Sequence, residues 1–358
     1  MSKHVLFGTS AWGLGHATRD LVLMRALLQA GCRLTVVATG SALRVLREEL
    51  GDRAQFLNWP DMPTSVAATS AGFYAKTVAH IPKILGTWFA EKRRTRALLE
   101  QQSIDFIVSD HRYGMVTSRV PCYFMTHSPR YVAPWRDWFM EAVMERFMAQ
   151  WLGPVRKVLI PDDEVEGLSG DMGHRVRFFP REKLAYLGIL SSVRRRTAAQ
   201  DVDVFISISG PEPQRGLLQE AVLAQVDKLQ GRIVVALGVP GGAVPSVGAA
   251  HVELHAYLNR TAQEAMMNRS RFIVCRSGYT TLMELAELGK RALLVPTPGQ
   301  TEQVYLAKTL RERGLFYSVK QRQLDLAADL LQAQQYPGYQ PAHLSDLSAQ
   351  RFLKTVLG

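Results

Sequence analysis

Short apolar runs alternate with longer amphipathic stretches from one end of the chain to the other. Runs rich in Val, Ile, Leu and Phe at residues 5–7, 34–38, 104–108, 121–125, 155–161 and 186–189 read as buried strands. A second series follows at 204–208, 233–237, 252–254, 272–275 and 292–295. Between them, 18–28, 73–100, the stretch opening at Trp135 and 347–357 carry apolar residues at helical spacing. Segment 73–100 contains Pro82 and Gly86, where a break is expected. Strands that are apolar throughout, with helices between them, predict parallel sheets covered on both faces. A charged linker, Arg194-Arg195-Arg196, separates the two series.

Residues 272–307 show this arrangement in its fullest form. After the strand at 272–275, Ser277-Gly278 turns the chain, and Thr281 stands at an N-cap position with Glu284 at capping-box spacing. Leu282, Leu285 and Leu288 face the sheet, and Gly289 ends the helix. A strand at 292–295, a loop at 296–301 and a further helix follow. In such units the loops at strand C-ends and the helix N-termini face the ligand crevice. Ser277-Gly278-Tyr279-Thr280 and Gln300-Thr301-Glu302-Gln303 both fall there. That edge suits a nucleotide: Gly278 lets backbone approach a phosphate, and free N–H groups with the helix dipole favour an anion. Glu284 either accepts hydrogen bonds from a ribose diol or serves only as the capping carboxylate.

Arg276-Ser277-Gly278, Glu284, Pro296 and Gln303 together resemble the donor-site signature of GT-B glycosyltransferases. They are most similar to the peptidoglycan lipid-intermediate N-acetylglucosaminyltransferase family, glycosyltransferase family 28-like. The resemblance implies that Glu284 holds the ribose hydroxyls of UDP, that Glu302 and Gln303 touch the donor sugar, and that Arg276, Ser277, Gly278, Thr280 and Gln300 complete the nucleotide site. That family has an amide where this chain has Glu302, which leaves the sugar open. Ser209-Gly210 and Arg215, after the strand at 204–208, resemble the family's second glycine loop and are expected at the diphosphate. The family's loop against the uracil ring falls near 255–260.

Near the N-terminus, Gly8, Gly13 and Gly15 follow the first strand as in a dinucleotide fingerprint. The next strand ends in Thr39-Gly40, with no acid to hold an adenosine ribose, which argues against NAD or FAD. Gly13-Leu-Gly15-His16-Ala-Thr18-Arg19 instead resembles the glycine-rich Gly-His loop of the same family. It also resembles the matching segment of a UDP-sugar hydrolase of that fold. The resemblance implies that His16 faces the inter-domain cleft as general base; imidazole titrates near neutrality, as that role requires. A loop histidine bonded only to backbone is the plainer reading. Asp110 and His111 end one strand and His127 ends the next, so with Gly13 and Gly15 they form an expected acceptor pocket. His111 and His127 lack a third ligand at helical spacing, so no metal site is expected. Asp201-Val-Asp203 has DxD spacing but precedes a strand, and reads as a solvated linker. The fold implied is α/β, GT-B: two Rossmann-like doubly wound domains facing an inter-domain cleft. The acceptor domain takes 1–180, with helix 341–358 packing back on it, and the donor domain takes 186–340.

Composition narrows the setting. The chain has 358 residues, 47% hydrophobic and 21% charged, as in soluble globular proteins. Cys32, Cys122 and Cys275 stand singly in apolar runs, which suits a reducing compartment, and no signal peptide is expected. Residues 233–250 carry no charge, but their Gly and Pro content fits a strand and loop better than a membrane span. Net charge is +11, with 22 Lys and Arg against 17 Asp and Glu in residues 1–180 and 21 against 15 in 181–358. An excess so evenly spread does not form the local stripe of a nucleic-acid module, so no specific nucleic acid is expected. Ile81, Ile84, Trp88 and Phe89 precede Lys92, Arg93, Arg94 and Arg96, which fits either an anionic bilayer or an ordinary amphipathic helix. The expected activity is metal-independent transfer of a sugar from a UDP-sugar to a hydroxyl of a lipid-linked or small-molecule acceptor. It needs no cofactor, and the expected location is cytoplasmic, peripheral on the inner membrane face. A UDP-sugar hydrolase, an epimerase and a non-catalytic nucleotide-sugar binding protein are the alternatives.

Overall fold

The computed structural model describes residues 2–63, 70–133 and 137–358, with backbone only at 70, 71, 73–75 and 77. Trp135, placed by sequence at the opening of a helix, lies outside the described residues. The chain divides into two compact units, one built from most of residues 2–192 together with Pro341–Gly358, the other running Val193–Gln340.

The first unit contains β1 (His4–Thr9), α1 (Leu14–Gln29), β2 (Arg33–Ala38), α2 (Gly40–Leu50), β3 (Gln55–Asn58), α3 (Ser70–Gln101), β4 (Phe106–Asp110), β5 (Cys122–Met125), α4 (Trp138–Trp151), β6 (Lys157–Ile160), α5 (Asp171–His174) and β7 (Leu184–Tyr186). All seven strands are parallel, in the order β3-β2-β1-β4-β5-β6-β7. Chain order reverses between β1 and β4, so the loops after these two strands diverge and leave a crevice at their C-ends. Leu6, Val37, Ile107, Phe124 and Val158 form the sheet's share of a continuous core. β7 joins this sheet as its edge, at 184–186 rather than the 186–189 expected from the apolar run.

The second unit contains β8 (Val202–Ser207), α6 (Gln214–Leu223), β9 (Ile233–Ala236), β10 (Val252–His255), α7 (Arg260–Arg269), β11 (Ser270–Cys275), α8 (Tyr279–Leu288), β12 (Ala292–Leu294), α9 (Thr301–Glu312), β13 (Tyr317–Ser318) and α10 (Leu326–Ala333). Its six parallel strands run β10-β9-β8-β11-β12-β13, with the same reversal between β8 and β11. The uncharged stretch 233–250 is β9 followed by a turn-rich loop, and no helix among the described residues is long and apolar enough to cross a membrane. The last helix, α11 (Ser345–Leu357), packs within the first unit against α1.

Three local expectations fail for physical reasons. α3 runs unbroken through Pro82, because Trp88, Thr95 and Leu98 beyond it are buried and packing outweighs the one lost N–H bond. α1 begins at Leu14, so His16 sits in the first helical turn rather than in a loop; Gly13, with φ of 101°, supplies the turn before it. The capping box at Thr281 does not form: α8 starts at Tyr279 with Gly278 as N-cap and no side-chain cap, which leaves Glu284 without that structural role. The three cysteines are buried free thiols, and burial pushes Cys122 and Cys275 up to about 12.

Candidate active site

In the first unit, the β1–β4 reversal brings distant residues together. Thr9 and Asp110 are direct partners across the ladder, so α1, which leaves β1, starts beside the end of β4. Asp110 is fully buried and acts as a hub. His16 Nδ1 lies 2.8 Å from its Oδ2, Arg19 Nε donates to Oδ2 at 2.9 Å, Arg19 Nη2 to Oδ1 at 2.5 Å, and His111 Nδ1 lies 2.9 Å from Oδ1. Burial alone would raise the Asp110 carboxyl. The Arg19 guanidinium, His16 and the hydrogen bonds from both histidines outweigh it and hold Asp110 well below the usual carboxylate range. Asp110 is therefore ionised and accepts.

That fixes the tautomers. His16 Nδ1–H donates to Asp110, which leaves Nε2 with its lone pair, as a base needs. Arg19 Nη2 also lies 2.9 Å from the same Nδ1, but one nitrogen cannot both donate and accept, and Asp110 Oδ1 already satisfies Nη2. His111 uses both nitrogens, donating to Asp110 and accepting from Thr126 Oγ1 at 3.0 Å. Burial, with the charges of His16 and Arg19, pushes it down to about 4 against the pull of Asp110. It stays neutral in a left-handed backbone conformation, φ 55°, that non-glycine residues rarely adopt. His127 is buried, with Nδ1 3.5 Å from Arg19 Nη1 and its ring 5.9 Å from that of His111. Gly13 and Gly15 flank the helix start, and Gly15 O accepts from Thr18 Oγ1 at 3.1 Å.

Sequence reasoning placed His16, Asp110, His111 and His127 on this edge but missed Arg19 as their common partner. Its spacing of three from His16 on a helix was the available signal. Spacing also gave no sign that His16, Asp110 and His111 would each offer a ligand-type atom, all within 4.8 Å of one another. The donor set suits a transition ion, yet Arg19 already binds both oxygens of Asp110, and its charge opposes a cation at that spot. The arrangement is better suited to orienting an imidazole.

In the second unit, the loops after β8, β11 and β12 meet. Arg276 is buried, and its guanidinium donates to Ser209 O, Val295 O, Gln214 O and Gln321 Oε1 at 2.7–3.1 Å. The expected phosphate ligand is thus a clamp that holds three loops together, and burial lowers it to about 10. Arg215 also departs from expectation: it pairs with Glu212 Oε1 at 2.5 Å and donates to Leu237 O at 3.1 Å. Ser277 Oγ donates to Gln303 O at 2.8 Å, and Gln303 Oε1 accepts from Thr297 N at 2.9 Å, so α9 and its loop are tied to the start of α8. Gln303 Nε2 donates to Gln300 Oε1 at 2.5 Å. Gly210, exposed with φ of 117°, lies beside this knot, with Thr297 Oγ1 3.5 Å from where its Cβ would be. Ser209 and Glu302 are exposed, and Gly278 and Thr280 half-buried, at the mouth of the two helix N-termini.

Glu284 is half-buried on α8, with no hydrogen bond to its carboxyl among the described residues. Burial pushes it up to about 7, with Arg260 pulling the other way and Glu264 adding to the rise. A carboxyl that keeps its acceptor capacity for something else is what a diol site requires. The DxD pair has no such capacity: Asp201 is held by Arg232 and Arg269, and Asp203 by Arg271. The hydrogen bond from Arg269 is the main reason Asp201 falls to about 2.

Two parallel Rossmann-like sheets, each with polar loops gathered at its switch point, define the GT-B glycosyltransferase fold. Residues 234–354 match the glycosyltransferase family 28 C-terminal domain. The chain is similar to the UDP-N-acetylglucosamine–N-acetylmuramyl-(pentapeptide) pyrophosphoryl-undecaprenol N-acetylglucosamine transferase of Histophilus somni (strain 129Pt), 33% identical over 116 residues. The match takes in 29% of this chain and spans about a third, 31%, of that protein. Among solved structures, the glycotransferase of kitacinnamycin superposes with a TM-score of 0.68 at 15% identity, over 99% of this chain and 94% of that one. Acinetobacter baumannii MurG gives 0.56 at 16% identity, over 98% and 94%.

Proposed function

We propose that the protein is a glycosyltransferase that moves a sugar from a UDP-sugar to a hydroxyl, with His16 as general base. The observation that carries this is the His16–Asp110 pair, which fixes the imidazole with Nε2 as acceptor at the C-terminal edge of the first sheet. The acceptor oxygen attacks the anomeric carbon, its proton passes to His16 Nε2, and the bond from that carbon to the diphosphate breaks, releasing UDP. In the second unit the N-termini of α8 and α9 hold the leaving diphosphate through backbone N–H groups, and Glu284 holds the ribose. Because Arg276 is tied to carbonyls within the protein and Arg215 is paired with Glu212, the positive potential comes mainly from backbone. The named activity of the Histophilus somni relative and the family 28 domain support this reading.

A thermal-shift screen of nucleotides and nucleotide-sugars tests the donor. UDP and one UDP-sugar should raise the melting temperature, since a ligand at 100 times its Kd adds about 2.7 kcal/mol. NAD stabilising the protein in place of UDP would end this reading. The same UDP-sugar should be turned over in EDTA; activity lost in chelator and restored by a divalent ion would move the diphosphate contact to a metal. Free sugar formed with no acceptor present would make the enzyme a hydrolase using the same base on water.

The acceptor is proposed to be lipid-linked, met at the cytoplasmic face of an anionic membrane by α3 and α4. The apolar face differs from that expected by sequence. Trp88 is buried, stacked on Tyr113 with ring centroids 4.5 Å apart and packed against Trp151, so it is core. Ile81 and Phe89 remain exposed on α3, and α4 adds Trp138 at 69% and Phe139 at 62% exposure, with Val143 and Phe147 beyond. Phe89 and Phe147 both contact the Trp151 ring, which joins the two helices' apolar residues into one patch. Lys92, Arg93, Arg94 and Arg96 are exposed at its side. Each cation near an anionic surface contributes about 1 kcal/mol, and salt does not screen the apolar part. Co-sedimentation with anionic vesicles should therefore weaken but persist in high salt, and fall when Arg93, Arg94 and Arg96 are changed to Gln. Failure of the parent to sediment with anionic vesicles would point to a soluble acceptor.

A further inference from the structure

Behind Asp110 lies a second buried carboxyl, which the mechanism above does not use. Asp20 follows Arg19 on α1, one helical turn beyond His16, and is fully buried. Thr9 Oγ1 donates to its Oδ2 at 2.7 Å, and Thr9 is the ladder partner of Asp110, so the β1–β4 register sets the two carboxyls side by side. Asp20 Oδ1 is buried without a hydrogen-bond partner among the described residues. The groups around the pair are Thr9 from β1, His16 and Arg19 from α1, His111 after β4 and His127 after β5. Arg19 spends Nε and Nη2 on Asp110. Two adjacent buried carboxylates would share too little positive charge, and a buried oxygen lacking a donor is costly. A single proton on Oδ1 removes both problems: it neutralises Asp20 and makes it a donor.

We propose that Asp20 is a positioning residue for the His16–Asp110 pair, a neutral carboxylic acid that donates its proton to Asp110 and so limits how strongly Asp110 draws a proton onto His16. Burial first, then the negative charge of Asp110, push the Asp20 carboxyl well above the usual range, against the pull of Arg19 and the hydrogen bond from Thr9. The pair divides its roles as neighbouring carboxyls in other sites do, one kept ionised and one kept protonated by environment. The inference rests on the reading of His16 as the base, but its first test does not.

The first test is infrared difference spectroscopy of the purified full chain at neutral pH, parent against Asp20→Asn. Glu284, raised to about 7, contributes equally to both and cancels, so the parent-minus-variant difference should keep one protonated-carboxyl band; a difference spectrum without that band overturns the proposal whatever the activity. The second test is the rate–pH profile with the UDP-sugar found in the screen. Asn keeps a neutral donor, so Asp20→Asn should leave the acid limb in place and turnover within about threefold. Asp20→Ala removes the donor, so Asp110 stabilises a protonated His16 more strongly and the acid limb should move to higher pH, by about half a unit, with the KM for the donor unchanged. If Asp20 were ionised, Asp20→Asn would remove a negative charge and move the limb to lower pH. A purely structural Asp20 would give an Ala variant with a lower melting temperature and an unmoved limb. A His16→Asn enzyme as fast as the parent would end the base reading, while the infrared result would still stand.

Discussion

Replacing His16 by alanine should lower turnover about 100-fold or more while leaving UDP affinity nearly unchanged. The split between the two quantities is the informative part. His16 belongs to the first unit and the candidate nucleotide residues all belong to the second, and the roles proposed give the imidazole proton transfer alone and leave the diphosphate and ribose to other groups. The fold should survive, because Asp110 keeps Arg19 and His111 after the imidazole is gone. Asp110→Ala is a poorer probe: it strands a buried Arg19, and breaking a buried pair costs about 3–5 kcal/mol, which confuses folding with catalysis. The measurement is steady-state turnover beside calorimetric UDP binding on a variant with the parent's melting profile. A His16→Ala enzyme that turns over normally would reduce the histidine to a packing role, and loss of UDP affinity would mean that it acts on the donor instead.

Strands buried on both faces were legible because nothing polar interrupts them: Val5, Leu6 and Phe7, or Phe272, Ile273 and Val274, are buried as their pattern demands. β3 escaped because it is an edge, with Gln55 and Asn58 exposed and only Phe56 and Leu57 half-buried, and β13 because it has two residues. The candidate site was legible as a set of positions but not as a set of roles. His16 and Asp110 are 94 residues apart, and only the Thr9–Asp110 register makes them partners. Arg276 looked like a phosphate ligand from its place beside Ser277-Gly278, yet a buried guanidinium takes the nearest carbonyls, and those come from 209, 214 and 295, positions no local motif connects. Trp88 and Phe89 make the same point on a helix: neighbours in sequence point about 100° apart, so one is core and the other solvent-facing. Spacing brings chemistry to an edge, and long-range packing decides which donors are already spent.

Glu284→Ala should weaken UDP binding by about 1–3 kcal/mol, roughly 5- to 150-fold, the scale of hydrogen bonds to a charged group. Glu284 is a candidate donor residue whose carboxyl the fold leaves without a hydrogen bond among the described residues, while Arg215, Arg276, Ser277 and Gln303 are engaged. Its pH behaviour separates a ribose ligand from a bystander. Burial raises the carboxyl to about 7 in the free protein. A raised carboxyl contributes stability that is fully present below its unfolded value, about 4.3, and is lost as pH rises through about 7. Above that point the free protein holds an ionised, partly desolvated carboxylate with unused acceptors, and two ribose hydroxyls supply the missing donors. Below it, one oxygen carries a proton and accepts less well. UDP should accordingly bind more tightly, and raise the melting temperature more, about one unit above pH 7 than about one unit below it. The nucleotide's own phosphate also titrates, so Glu284→Gln, neutral at every pH, provides the baseline. Calorimetry at the two pH values should show the parent's affinity rising relative to that variant as pH increases. Equal UDP affinity in the parent and the alanine variant, at both pH values, would remove Glu284 from the nucleotide site.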